Sequence, residues 1–131
     1  MTDNMKASLA VAIGGAAGAL LRSGVNSFFI TSEFPAATLI ENIIGSFLLG
    51  LLTGWVLQRK VAVWLKAGIG TGFCGGFTTM STFAADSFFL WQTSSTATLL
   101  YIGASLFGGL LAAFVGVVLV TEVFKKRGEV L

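Results

Sequence analysis

The stretch GFCGGFTTMSTF, Gly72 to Phe83, decides how this chain is read. It holds three glycines, four hydroxyl side chains, three phenylalanines and a methionine. It lies inside a long apolar run, from about Trp64 to Trp91. A helix wholly in hydrocarbon has no use for such a segment, because lipid offers its polar groups neither water nor partners. Gly75 and Gly76 free the backbone to leave helical geometry, and an unwound turn exposes carbonyls. Such backbone is tolerated at membrane depth only inside protein or beside a cavity, where it is a recurrent way to coordinate an ion. The segment therefore predicts a helix broken in its middle.

The rest of the chain fits a membrane setting. Of 131 residues, 55% are hydrophobic and 11% charged, with mean hydropathy +0.89. A soluble domain carries about 25% charged residues. A spanning helix needs roughly 20 apolar residues. Four runs meet that need, at about 7–29, 38–57, 64–91 and 99–124. They predict one all-α integral membrane domain, 1–131, of four transmembrane helices with short loops and no soluble domain left over. The first run is too long for the apolar part of a signal peptide, and Arg22 interrupts it. A single cysteine, Cys74, excludes a disulfide scaffold within the chain. The absence of histidine excludes a His-ligated metal or a His acid–base catalyst, and no enzymatic activity is expected. The net charge of +2 sits largely in tails and loops and implies no nucleic-acid partner.

Lys6, Arg59, Lys60, Lys66, Lys125, Lys126 and Arg127 all fall on the side of the two termini. Read alone, that bias places both termini in the cytoplasm. The pairs Gly14 and Gly18, Gly50 and Gly54, and Gly68 and Gly72 recur at helical spacing and let helices approach closely. Four spans are too few to enclose a generous pore, so oligomerisation is expected.

Ionisable residues inside spans are costly and point to function. Arg22 lies late in its span, where it either snorkels to the interface or attracts an anion. Glu41 lies near a helix start, where the helix dipole favours a carboxylate, and is expected at the interface. Asp86 follows the broken segment by about one turn. Asn42, Ser46, Thr78, Thr79, Ser81, Thr82, Tyr101 and Ser105 can line a narrow polar path. An isolated Ser or Thr in a membrane helix commonly bonds back to its own backbone, but four in five positions beside a Gly-Gly is a different pattern. Phe77, Met80 and Phe83 recur every three residues, on one face of a continuous helix. A ring edge carries positive character and can meet an anion without a full countercharge. A permeating ion needs that balance, held firmly enough to enter and loosely enough to leave.

At these residues the chain resembles the Fluc (CrcB) family of small fluoride channels. The resemblance runs through GGAAGALLR (14–22), TLIENIIGSFLLG (38–50), GFCGGFTTMSTFAAD (72–86), and Tyr101 with Ser105. It implies an antiparallel, dual-topology homodimer in the bacterial inner membrane, with the third helix of each subunit broken near the membrane midplane, two fluoride pores and a central structural Na+. Backbone carbonyls of Gly75 and Thr78 from both subunits would hold that Na+. Asn42, Met80, Phe83, Ser81, Thr82, Tyr101 and Ser105 would line the pore, with Asp86 past the phenylalanine positions and Arg22 near the aqueous mouth. The implied activity is passive, selective export of fluoride that entered as HF and was trapped on ionising in the cytoplasm. The sequence departs from the family in three ways. Met80 stands where the family has Phe, Glu41 stands where an aliphatic residue is usual, and the Lys/Arg bias is larger than a dual-topology homodimer should show.

Two other classes compete. A small multidrug-type proton-coupled cation exporter also has four spans, but it needs a carboxylate deep in the first span, where this chain has Arg22. A non-transporting packing subunit gives no reason for the break or the polar track.

Overall fold

The computed structural model describes residues 2–30 and 32–128, and among them every regular element is helical. Thr31, in the first loop, lies outside the described residues. Helix α1 (Asp3–Phe28) starts at Thr2, whose side chain accepts the Met5 N–H at 3.4 Å. Helix α2 (Ala36–Gln58) follows Pro35, whose ring fixes φ at the point of entry into the helix. The last helix, α6 (Ser95–Lys126), is capped by Ser94, whose hydroxyl accepts the Ala97 N–H at 3.2 Å. These three helices are each long and apolar enough to cross a membrane. Their bounds differ from the apolar runs by a few residues.

The remaining run is divided. It begins as α3 (Val63–Lys66), widens into a π-helical stretch (Ala67–Cys74), and tightens to α4 (Gly75–Phe77). Thr78 and Thr79 are extended, with φ, ψ of −80°, 160° and −148°, 117°. Helix α5 (Met80–Thr93) then begins, capped by the Thr79 hydroxyl, which accepts the Thr82 N–H at 3.2 Å. This corrects the sequence reading of the glycines. Gly75 and Gly76 are helical, and the only positive-φ residue described is Gly128. Helical geometry is left two residues later, at Thr78 and Thr79. Gly76 is needed for proximity instead: a Cβ there would meet the Gly15 carbonyl oxygen at 2.5 Å.

Two tightly packed helix pairs make the body of the fold. Helix α1 lies against the π-helical stretch and α4, and α2 lies against α6. Both seams are built on the glycine pairs. A side chain at Gly14 would overlap Gly68 and Phe73 backbone, and one at Gly18 would overlap Phe73 and Phe77 backbone. Gly68 and Phe73 are five residues apart, which are neighbours on a π-helix rather than an α-helix. On the other seam, Gly50 and Gly116 press against the backbones around Ala113 and Phe47, and Gly54 against Val117. Small residues earn their place in membrane helices in this way, because close backbone approach maximises dispersion contact where lipid supplies no hydrophobic driving force. The outward faces stay apolar, with Leu20, Phe88, Phe107 and Leu110 among the exposed side chains.

Candidate functional site

The two extended residues are held by a side chain from another helix. Asn42, on the second turn of α2, donates its Nδ2 to the Thr79 carbonyl at 3.1 Å. Its Oδ1 accepts the Thr79 N–H at 2.8 Å. One amide thus pairs both backbone groups of Thr79, much as a neighbouring strand would. In an unbroken helix the Thr79 N–H would go to the Gly75 carbonyl. Asn42 takes it instead, so the Gly75 carbonyl is left outside that ladder. Thr78 keeps one helical bond, its N–H to the Cys74 carbonyl at 2.9 Å, and its hydroxyl donates to the same oxygen. The Thr78 carbonyl points away from the ladder and accepts Arg22 Nη1 from α1 at 3.3 Å. Arg22 therefore reaches the break itself, across the seam that the α1 glycines bring close.

Beside this break lies an open groove of about 330 Å³. Asn42, Ser46, Gly75, Thr78, Thr79, Met80, Phe83 and Ser105 contribute to its wall. The Ser105 hydroxyl is buried and has no hydrogen-bond partner among the described residues. The groove thus combines amide, hydroxyl and backbone polarity with one aromatic ring, and none of these lining residues carries a formal charge.

Below Phe83 the acid Asp86 is tied in place. Its Oδ2 accepts the Thr38 hydroxyl of α2 at 2.7 Å and the Tyr101 hydroxyl of α6 at 3.3 Å. Tyr101 is fully buried. Its ring lies 5.4 Å from that of Phe83 at a tilt of 37°, and Phe34 meets it edge-on at 5.8 Å. Three helices are thereby fixed to one another just past the break.

The other expected site residues fall elsewhere. Phe77, Met80 and Phe83 do not share one helix face, because Thr78 and Thr79 interrupt the helical phase between the first and the second. Phe77 is 2% exposed and stacks on Phe73, whereas Met80 is 73% exposed at the groove edge. Ser81 and Thr82 are exposed at the start of α5 and converge on the Thr79 hydroxyl, at 3.3 and 2.9 Å. Tyr101 stands behind the groove rather than on its wall. Glu41 corrects a sequence expectation. It is completely buried among the helices rather than set at the surface of the bundle, and neither carboxyl oxygen has a hydrogen-bond partner among the described residues. Its place in the second turn of α2, between Thr38 and Gly45 on the buried face, puts it inside the bundle. Elsewhere, Thr53, Ser87, Thr98 and Thr121 bond back to carbonyls of their own helices.

Thr38 is the functional contact that the sequence reading passed over. Its signal was present: Thr38, Asn42 and Gly45 recur at helical spacing, and all face the interrupted segment. Gly45 leaves room for the Thr78 methyl, which a Cβ at that position would overlap.

Residues 9–117 match the model of the family described as CrcB-like protein, Camphor Resistance (CrcB). A protein of Halalkalibacterium halodurans named fluoride-specific ion channel FluC 2 is 47% identical over 97% of this chain and 95% of its own. One of Bacillus subtilis with the same name is 51% identical over 86% of each chain. A Pseudomonas fluorescens protein named fluoride-specific ion channel FluC is 40% identical over 85% of this chain and 94% of its own. With a family match across most of its length and apolar helices of spanning length, the chain is a multi-pass membrane protein and belongs to the CrcB family.

Proposed function

We propose that the protein is a fluoride channel, a passive path by which cytoplasmic fluoride leaves a bacterial cell across its inner membrane. Its relatives carry that name at high coverage. The observation that carries the reading is the uncharged groove beside the Asn42–Thr79 clamp, a largely apolar wall with amide, hydroxyl and backbone groups set into it and Phe83 on it. A charge-free wall of amide, hydroxyls and ring suits a permeating anion, because full countercharges would hold it too long. The working form is an antiparallel homodimer of four-span subunits with two pores. In each subunit the segment 63–93 is the third span, interrupted near the midplane. In that assembly Phe83, Met80, Asn42, Ser81, Thr82 and Ser105 face the ion path, Phe77 and Tyr101 back it, and Arg22 at the break and Asp86 past Phe83 set the field along it. The purified chain alone, in proteoliposomes, is expected to release fluoride far faster than chloride, read with ion-selective electrodes. Chloride release at the fluoride rate would overturn this reading.

A structural Na+ belongs to the same proposal. The chemistry of the donors fits: the Gly75 carbonyl has given up its helical N–H partner, and the Thr78 carbonyl has two lone pairs, one of them used by Arg22. Two such carbonyls are a partial set for a hard cation, and a second copy would double it. Bound there, Na+ would offset the dipoles of carbonyls that the break leaves without helical N–H partners. Replacement of Na+ by a large organic cation is expected to lower the thermal stability of the detergent-solubilised protein. An unchanged Tm after exhaustive exchange would remove Na+ from the account.

A further inference from the structure

Glu41 is a fully buried acid whose chemistry the channel reading leaves unused. Its exposure is 0%, and both carboxyl oxygens lack hydrogen-bond partners among the described residues. Because no part of it reaches the surface, no neighbouring protein can supply what is missing without rearranging this chain. Any partner for the carboxyl must therefore be very small. An ionised carboxylate without hydrogen bonds is among the costliest groups to bury, and it is relieved by a proton or by a paired cation. Arg22 of α1 reaches the Thr78 carbonyl. A second carboxylate, Asp86 of α5, is held by Thr38, one turn before Glu41 on α2, and by Tyr101 of α6. Arg22, Asp86 and Tyr101 are the ionisable groups that α1, α5 and α6 bring to this part of the bundle.

We propose that Glu41 is a proton-binding site that sets the charge beside the conduction path, so that fluoride flux rises as the pH falls. The proposal rests on the channel reading above. With Glu41 ionised, a buried carboxylate joins that of half-buried Asp86 in offsetting the Arg22 charge, and their field repels an entering anion. With a proton on Glu41, the Arg22 charge is uncompensated by it and the barrier to an anion drops. The proton moves on and off the carboxyl only, with no other bond made or broken. Such a device would match conductance to need, since fluoride loads a cell fastest from acidic surroundings.

The test is fluoride efflux from proteoliposomes at equal internal and external pH, stepped from about 8.5 to about 5.5, with the leak of protein-free vesicles subtracted. Wild-type flux is expected to rise at least about fivefold across that range. Glu41→Gln keeps the shape of the side chain without its charge, and its flux is expected to be high and flat. A second readout does not depend on conduction: the infrared carbonyl band of protonated carboxyls that grows as the pH is lowered is expected to be larger in the wild type than in Glu41→Gln. Parallel pH profiles in the two proteins, or acid bands of equal size in both, would overturn the proposal while leaving the channel reading intact. A wild type that releases no fluoride at any pH would overturn both.

Discussion

Phe83→Ile is expected to cut fluoride flux by roughly tenfold or more, a barrier increase of about 1.4 kcal/mol or above. The replacement keeps an apolar side chain of useful volume but removes the ring. Two properties go with it. The aromatic ring, whose edge carries positive character, no longer lines the groove. The contact with Tyr101 at 5.4 Å is lost as well, and with it one support of the Asp86 cluster. Efflux from proteoliposomes checks the first effect, and a melting curve separates it from the second. Full flux in a stably folded Phe83→Ile protein would reduce Phe83 to packing. Met80 bears on the same point. It stands 73% exposed at the groove edge, where a flexible, polarisable side chain supplies contact but no ring edge. The aromatic argument in this chain therefore rests on Phe83.

The second large effect is expected from Asn42→Leu. Leucine is close in size to asparagine but leaves the Thr79 N–H and carbonyl both unpaired, at a residue only 6% exposed. Each orphaned group costs about 1–3 kcal/mol, so the two together cost roughly 2–6 kcal/mol. The chain can recover part of that by returning the Thr79 N–H to the Gly75 carbonyl, which would close the break and pull Thr79 off the groove wall. Either way fluoride flux is expected to collapse, and the Tm in detergent to fall. Asn42→Asp keeps an acceptor for the Thr79 N–H but loses the donor to its carbonyl. It is expected to retain more of the stability than Asn42→Leu while placing a repelling charge on the groove. Stability equal to wild type in Asn42→Leu would show that the clamp holds nothing.

Much of the fold was legible in one dimension because a membrane leaves few choices. Long apolar runs mark helices whatever surrounds them, and the bounds of α1, α2 and α6 follow from where those runs stop. The glycine pairs were legible for a similar reason: small residues at helical spacing make a flat strip, and the strip needs a neighbour. The π-helical stretch was not legible. It adds no residue type of its own, and it emerges from Gly14 and Gly18 of α1 meeting Gly68, Phe73 and Phe77 at close range. The position of the break was misplaced by about two residues for the same kind of reason. Gly75 and Gly76 have the freedom to unwind, but Gly76 is occupied in packing on Gly15, and the extended residues are those that Asn42 can pair.

The sequence by itself determined that this chain is a set of apolar helices with one polar interruption, and its motifs pointed to the family. Composition and periodicity suffice there, because each residue's preference for lipid or polar surroundings is its own. Only the tertiary structure decided what the polar residues do. Arg22, read as a group near the aqueous mouth, lies on the Thr78 carbonyl, and Glu41, read as interfacial, is sealed inside the bundle. Thr38, unremarked in the chain, holds Asp86. Hydrogen bonds and burial depend on which helices meet and at what rotation. Those are set by glycine seams between segments dozens of residues apart, which no local pattern records.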